Sequence, residues 1–414
     1  MAARSSGVGS GVISRSKEWR LTSTANQVDV TKSVGRIVIL LLCFAAVPAV
    51  AGASAAKPST WAGKEIRVVT SAGLLGGGSV NAFRPDDPLT AQQLEDLVFD
   101  LKQRLAPPVE EPDPVWPPAT TAPGTTTLPT TTIATTTPSP DTTQRAPRQV
   151  ANPAKPVTVT TLDARLVGAL GLGKAASTFA RNAKAAGLDV PSRFGTEVVA
   201  RLLGLRLDHP ASDDGLELLP SDPATRAEAA YSVARLLSFD GSEADGVQLL
   251  ADAFLLPELS DWQKQILTTA VARIGMPYIW GGTSDGPETE FGVSSRGGYD
   301  CSGFVWRVYK LQSYPGGAAL SATIKGRTTY QMSGEVPKSK RIPLVKLQPA
   351  DVIFFGDRGP KSTPSQVGHM GIYLGNGWFI HSSGYGVAVA RLDGSYSREF
   401  AWGRRPLSEA GLSP

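Results

Sequence analysis

Short apolar runs, separated by glycine and polar residues, dominate the C-terminal part of the chain. They are "ADVIFFG" (350–356), "VGHMGIYLGNGWFIHS" (367–382) and "YGVAVARL" (385–392), a spacing typical of β-strands joined by turns. Ahead of them, "DWQKQILTTAVARIG" (261–275) has apolar residues at helical spacing and ends on a glycine. Helices followed by a run of strands predict an α+β domain over residues 257–414, with helices packed on an antiparallel sheet.

Two stretches further upstream resemble each other and have a helical period. Phe83 to Leu101 and Leu219 to Leu237 share a Pro-Asp loop followed by a threonine. Gln93 in the first stretch and Glu228 in the second stand three residues after that threonine. This spacing is a capping box, in which the threonine begins the helix.

A third stretch, Arg193 to Leu205, has the same threonine-helix form without the Pro-Asp loop. We therefore predict small helical repeats over residues 57–106 and 157–256. The residues between them, 107–156, are rich in Pro and Thr and cannot bury enough apolar surface to fold. We interpret them as an extended, disordered linker.

The N-terminal region contains an uncharged apolar stretch, Ile37 to Val47, with Lys32 and Arg36 before it and small residues after it. This order is typical of a secretory signal peptide, which we predict over residues 1–55. A retained membrane anchor is the alternative, although the strictly apolar part is about half of the ~20 residues that a span needs. The protein is therefore expected to be exported.

Export changes the interpretation of the two cysteines. Cys43 lies within the predicted signal peptide and would be removed with it. Cys301 is then a single thiol in a compartment that favours disulfides, without a partner in its own chain. Such a thiol is either buried and inert or chemically used.

Charge and motif content exclude some classes of function. The net charge of +4 is spread along the chain, without clusters of Lys and Arg among aromatic residues, so nucleic acid is not an expected partner. Zinc bound by Cys301 and two histidines would need a further ligand, and no CxxC or HxxxH spacing supports it. We expect neither a metal nor a cofactor.

Cys301 stands at a predicted helix start, where Asp300 is a suitable N-cap. The helix dipole favours the thiolate by only ~0.3–1 kcal/mol, whereas one pKa unit needs about 1.4 kcal/mol. A reactive Cys301 therefore needs a nearby base, normally histidine. His209 lies in a polar loop and is expected at the surface, which leaves His369 and His381.

Both remaining histidines lie in one predicted hairpin, whose turn decides whether they face each other. A regular two-residue turn at Asn376-Gly377 would place the two imidazoles on opposite faces of the sheet. A three-residue loop, or an equivalent bulge, would pair Gly371 with His381 and place both on one face. We predict this second register, because only then can His381 orient His369.

Such a site can hydrolyse an amide. His369 would take the proton of the Cys301 thiol, and His381 would fix the tautomer of His369. Cys301 would attack an amide carbonyl and form an acyl-enzyme, with its own backbone N–H donating to the oxyanion.

The C-terminal domain resembles the NlpC/P60 cysteine peptidases. The matching segments, in order, are "GMPYIWGG", "DCSGFVWRVY", "LQPADVIFFG", "VGHMGIYLGNGWFIHSS" and "RRP". The resemblance implies a papain-like α+β core, a peptidoglycan substrate and cleavage of the γ-D-glutamyl–diaminopimelate bond. It also implies that Cys301 is the nucleophile, His369 the base and His381 the third polar residue.

Further site residues follow from the same resemblance. Tyr278 matches the family's tyrosine near the thiol, an oxyanion or substrate contact, and Asp300 and Ser302 are expected to contact substrate. Ala350 departs from the family pattern, which has glycine there. The segments before Cys301 and before His369 are longer than is typical.

The upstream repeats are similar to S-layer homology repeats, whose hallmark is a Pro-Asp loop leading into "TRAE". Thr225 to Glu228 match it fully. The resemblance implies that Arg226 and Glu228 bind a secondary cell-wall polymer and hold a secreted enzyme at the wall. A generic helical scaffold is the alternative. For the whole chain, a non-catalytic wall-binding protein and a thiol amidase or acyltransferase acting on another substrate also remain open.

Overall fold

The computed structural model describes residues 61–76, 80–105, 146–239, 241–290 and 293–412. The predicted signal peptide lies outside these residues, as does the predicted linker up to residue 145. None of the helices in the described ranges combines the length and the apolar composition of a membrane span. The boundaries predicted between domains stay predictions.

The part of the described chain before residue 257 is helical. Its helices are α1 (Gly63–Ser71), α2 (Val80–Phe83), α3 (Ala91–Leu105), α4 (Val159–Ala169), α5 (Gly173–Ala185), α6 (Phe194–Leu202), α7 (Arg226–Leu236) and α8 (Ser242–Ala253). Their apolar faces share one core with the helices of the C-terminal part, because buried residues of both belong to the same cluster.

Three Pro-x-Thr segments hold the helical region together. They are Pro88–Thr90, Pro156–Thr158 and Pro223–Thr225, and their middle residues are joined by backbone hydrogen bonds that close a ring. Leu89 N–H donates to Ala224 O at 2.8 Å, Ala224 N–H to Val157 O at 2.9 Å, and Val157 N–H to Leu89 O at 3.0 Å. Each threonine hydroxyl accepts from the backbone amide three residues later. The ring therefore places three helix N-termini around one point.

This ring corrects the predicted third member of the repeat. Thr196, in the stretch from Arg193 to Leu205, does not cap a helix. It lies inside α6 and its hydroxyl donates to Arg193 O at 2.9 Å. The third capping threonine is Thr158, which lies two residues after the end of the predicted Pro/Thr-rich linker.

The C-terminal part has the predicted α+β content. Its helices are α9 (Asp261–Val271), α10 (Cys301–Trp306, continuing as a π-helical turn over Arg307–Leu311), α11 (Leu320–Thr323), α12 (Thr329–Gly334), α13 (Gly394–Glu399) and α14 (Pro406–Glu409). Its strands are β1 (Thr283–Ser284), β2 (Glu288–Glu290), β3 (Val293–Ser295), β4 (Gly298–Tyr299), β5 (Val352–Gly356), β6 (Val367–Gly375), β7 (Trp378–Ser383), β8 (Gly386–Arg391) and β9 (Phe400–Arg404).

The main sheet is antiparallel and has the order β8-β7-β6-β5-β9. Strands β5 to β8 follow the predicted apolar runs, whereas β9 returns to the free edge of β5 and was not predicted. One face of the sheet packs on α10, where Phe304 and Val308 meet the core cluster of Met370 and Ile372. The opposite face carries a smaller cluster: Ile353, Phe355, Phe379, Leu392 and Phe400.

The hairpin of β6 and β7 has the register that we predicted. Ile372 pairs with Ile380 and Tyr373 with Phe379, after which the register shifts and Gly375 pairs with Trp378. The turn itself is Asn376-Gly377, both with positive φ, and the extra residue in β6 is Leu374. A two-residue turn plus a one-residue bulge thus gives the same register as a three-residue loop. Continued along the strands, this register brings Gly371 opposite His381.

Candidate active site

Cys301 begins α10, and its local sequence explains why the helix starts there. The Asp300 backbone is extended, and its carboxylate accepts a hydrogen bond from Gly303 N–H, as predicted for an N-cap. Gly303 must be glycine, because a Cβ at that position would lie 1.9 Å from the carbonyl oxygen of Gly282. The helix that begins at Cys301 is therefore packed directly against the loop that follows Tyr278.

The thiol is 7% exposed and lies beside β6. The backbone amides of Ser302 and Met370 both interact with the sulfur and favour its thiolate. Met370 follows His369 directly in β6, so the thiol lies against the strand segment that carries the first histidine. Burial, followed by the charge of Asp300, nevertheless raises the pKa of Cys301 to about 12.

The two histidines of the hairpin contact each other. Nε2 of His369 and Nδ1 of His381 are 2.7 Å apart, a hydrogen-bond distance. Because His381 is 2% exposed, this bond is shielded from water. Burial lowers the pKa of His369 to about 4, and burial together with the neighbouring His369 lowers the pKa of His381. Both rings are therefore neutral near pH 7.

Aromatic side chains explain why the imidazoles are desolvated. The His369 ring stacks on Phe355, with centroids 5.7 Å apart. Tyr396 of α13 approaches His381 edge-on at 5.4 Å, and Phe379 lies 4.7 Å from the same ring. None of these three was predicted from the sequence as part of the site. Phe355 and Phe379 lie in strands, where aromatic residues are ordinary core residues, and Tyr396 lies in the short helix α13 after the histidine hairpin.

Tyr278 and Asp300 lie in the loops around the thiol. Burial, and next the proximity of Cys301, raises the pKa of Tyr278, so that its hydroxyl is a neutral hydrogen-bond donor. Asp300 accepts from Gly281 N–H at 3.0 Å and from the Ser302 hydroxyl at 2.9 Å. Both Asp300 and Ser302 thus have internal partners, and their predicted contact with substrate stays a prediction.

His209 corrects another expectation. It was expected at the surface but is 4% exposed, with Nδ1 2.8 Å from Glu217 Oε1 and its ring edge-on to Trp61. The segment that contains it borders the C-terminal domain, because the carboxylate of Asp214 accepts from Trp280 N–H at 3.3 Å. His209 is held by its own helical region and is not part of the thiol site.

Arg226 and Glu228, the predicted polymer ligands, also have internal partners. The Arg226 guanidinium lies over the Phe83 ring and donates to Phe83 O and Leu75 O, each at 2.7 Å. Glu228 is 3% exposed and 2.9 Å from Arg206. The predicted resemblance to S-layer homology repeats and their polymer binding stays a prediction.

The C-terminal part of the chain is similar to known proteins. The model of the NlpC/P60 family matches residues 275–405. The probable peptidoglycan endopeptidase LytE of Bacillus subtilis is 36% identical over 132 residues, which are 32% of this chain and 30% of that protein. The γ-D-glutamyl-L-lysine dipeptidyl-peptidase of the same organism is 26% identical over 163 residues, 38% of this chain and 46% of that protein.

A third relative, the murein DD-endopeptidase MepH of Escherichia coli, is 28% identical over 152 residues, 36% of this chain and 48% of that protein. The chain therefore spans less than half the length of each of these three relatives. A crystal structure of an NlpC/P60 family protein from Bacillus cereus is 28% identical and aligns over 37% of this chain and 43% of that one, with a TM-score of 0.27. Residues 275–405, which carry Cys301, His369 and His381, form an NlpC/P60 family domain.

Proposed function

We propose that this chain is a thiol peptidase that hydrolyses amide bonds in the peptide stems of bacterial peptidoglycan. The observation that carries the proposal is the hydrogen bond between His369 and His381, close to the buried thiol of Cys301. Met370, the residue after His369 in β6, contacts that thiol through its backbone amide. A merely structural cysteine has no need of a neighbouring pair of desolvated imidazoles. The names of the relatives, two of them endopeptidases of peptidoglycan or murein, support the same substrate class.

The reaction begins from a neutral pair, because burial raises the pKa of the thiol and lowers the pKa of His369. As sulfur attacks the amide carbonyl, the thiol proton passes to His369, whose Nε2 is bonded to His381. The first-turn amide of Cys301, which has no partner within the helix, donates to the developing oxyanion. Tyr278 is a second donor from the opposite loop.

The tetrahedral intermediate then loses its amine. The C–N bond breaks, the imidazolium of His369 gives its proton to the leaving nitrogen, and a thioester with Cys301 remains. Water, deprotonated by the same imidazole, attacks the thioester and releases the carboxylate product and the thiol. No metal or other reactant is needed for this balance.

The bond that we propose is γ-D-glutamyl–diaminopimelate. The name of one relative describes cleavage next to a γ-D-glutamyl residue, which supports this choice within the stem. We further propose that the protein is exported to the cell wall, where peptidoglycan lies, through the signal peptide over residues 1–55.

The test uses the purified chain and its Cys301→Ala variant with muropeptides of known structure. Mass spectrometry should find fragments ending in γ-D-glutamate and fragments with a new free amine on diaminopimelate, with the wild type alone. Cleavage at another peptide bond would correct the specificity. The absence of any Cys301-dependent cleavage would refute the proposed activity.

A further inference from the structure

Arg327 lies between two segments that flank the thiol, and no sequence pattern marks it as a site residue. It follows α11 and precedes α12, and its side chain is 13% exposed. From there the guanidinium reaches the N-cap of the nucleophile's helix on one side and the loop after Tyr278 on the other. It thus lies where the two halves of the candidate site meet.

Its contacts with the helix start are charge-assisted. Nη1 lies 3.1 Å from Asp300 Oδ1 and donates to the Ser302 hydroxyl at 2.7 Å, while Nη2 lies 3.2 Å from Asp300 Oδ2. A planar guanidinium can bind both carboxylate oxygens in this way, which a lysine ammonium cannot. These bonds fix the residues immediately before and after Cys301.

Its contacts with the other segment are to backbone. Nη2 donates to Gly281 O at 2.8 Å and to Gly282 O at 3.3 Å. The same two glycines follow Tyr278 closely, and Gly281 N–H returns a bond to Asp300. One side chain therefore links the loop of Tyr278 to the helix of Cys301.

We propose that Arg327 is a positioning residue, whose guanidinium holds Asp300 against the Gly281-Gly282 loop. In this position the thiol of Cys301 and the hydroxyl of Tyr278 can contact the same carbonyl group of the substrate. The proposal rests on the proposed thiol chemistry. The charges agree with it: Asp300 disfavours the Cys301 thiolate, and Arg327 favours it by offsetting that carboxylate. Asp300 and Arg327 both act on the charge of the thiol from these loops, and the proximity of Cys301 contributes to the raised pKa of Tyr278.

Two variants separate geometry from charge. Arg327→Met removes both, whereas Arg327→Lys keeps the charge and loses the planar fork. Arg341→Met is the matched control, because Arg341 lies in the same domain but over the Trp402 ring, where it donates to Val336 O. The full chain is used throughout, and thermal unfolding identifies any variant that is not folded.

The first readout is the rate at which iodoacetamide alkylates Cys301, followed by mass spectrometry across pH 6 to 11. For Arg327→Met we expect a rate about tenfold lower at pH 8, equivalent to one pKa unit in the thiol. Arg327→Lys and the control should stay within about threefold of wild type. This readout needs no peptidase activity, so it remains informative even if the proposed function fails.

The second readout is the steady-state hydrolysis of the muropeptide that the wild type cleaves. Arg327→Lys should lower kcat about tenfold or more with KM nearly unchanged, because the misplaced loops weaken the transition state and not binding. If Arg327→Met does not fold, the kcat of Arg327→Lys decides the test. The proposal is overturned if the folded Arg327 variants keep the wild-type kcat and alkylation profile and differ only in their melting temperature.

Discussion

Replacing His381 tests whether the second imidazole orients the first. His381→Leu removes the hydrogen bond at 2.7 Å and leaves Nε2 of His369 without that partner in a largely buried site. A buried polar group that loses its partner costs about 1–3 kcal/mol. If that loss falls on the transition state, kcat decreases by about 5- to 150-fold.

His381→Asn is the matched variant, because Asn and Leu have similar size and shape. The side-chain oxygen of Asn lies at about the position of Nδ1 and can accept from His369 Nε2–H. We therefore expect His381→Asn to keep at least about one third of the wild-type kcat, with KM similar in both variants. The comparison cancels the change in volume, which both substitutions share.

The assay is steady-state hydrolysis of the muropeptide that the wild type cleaves, with melting temperatures measured for each variant. The orienting role is refuted if folded His381→Leu and His381→Asn have the same kcat. If that shared kcat is lower than the wild-type value, the imidazole itself, or the packing of its ring on Phe379, is what matters.

Three further outcomes follow from the structure. Because burial lowers the pKa of His369 to about 4, the unfolded chain binds more protons than the folded chain between about pH 6.5 and 4. The free energy of unfolding should therefore fall by about 1–3 kcal/mol as the pH decreases across that window. The acid limb of the kcat profile should be centred near pH 4, and a limb at pH 6.5 would contradict a desolvated base. Ala350 has φ +68, a conformation that glycine adopts more easily, so Ala350→Gly should raise the free energy of unfolding by about 0.5–1 kcal/mol in urea titration; a decrease would contradict this. Gly303→Ala places a Cβ against Gly282 O and should destabilise by about 1–3 kcal/mol or more and lower kcat, while Gly334→Ala, whose Cβ meets only Pro364 at 3.5 Å, should do neither.

The sequence predicted the hairpin well because its constraints are local. Strand periodicity leaves two possible registers, and only one places the two histidines on the same face. The requirement that His381 orient His369 therefore selected the register. The bulge at Leu374 realises that register differently from a three-residue loop. The start of α10 was equally local, since Asp300 caps it by accepting from the amide of Gly303, three residues later.

The sequence could not predict what depends on distant segments. Thr158 lacks the Pro-Asp loop that marks the other two threonines, and the ring of Leu89, Val157 and Ala224 joins segments on both sides of a Pro/Thr-rich stretch. The Pro-x-Thr pattern itself, present in all three segments, was the available signal. Strand β9 was missed for a similar reason, since its partner β5 lies some fifty residues earlier.

Arg327 and His209 show the same limit for side chains. An arginine in a loop is an ordinary surface residue until a carboxylate and two carbonyl groups converge on it. His209 lies in a polar sequence, yet Trp61 and Glu217 cover it in the fold. In both cases the partners come from elements whose packing no local pattern describes.

The most direct test of the proposed mechanism is to trap the acyl-enzyme. The full chain is mixed with a cleavable stem peptide, quenched in acid within one turnover and examined by intact-protein and peptide mass spectrometry. We predict a mass increase equal to the acyl half of the substrate, located on Cys301, and lost in Cys301→Ala and His369→Ala. Peptide hydrolysis that continues in Cys301→Ala, without any adduct in the wild type, would contradict it.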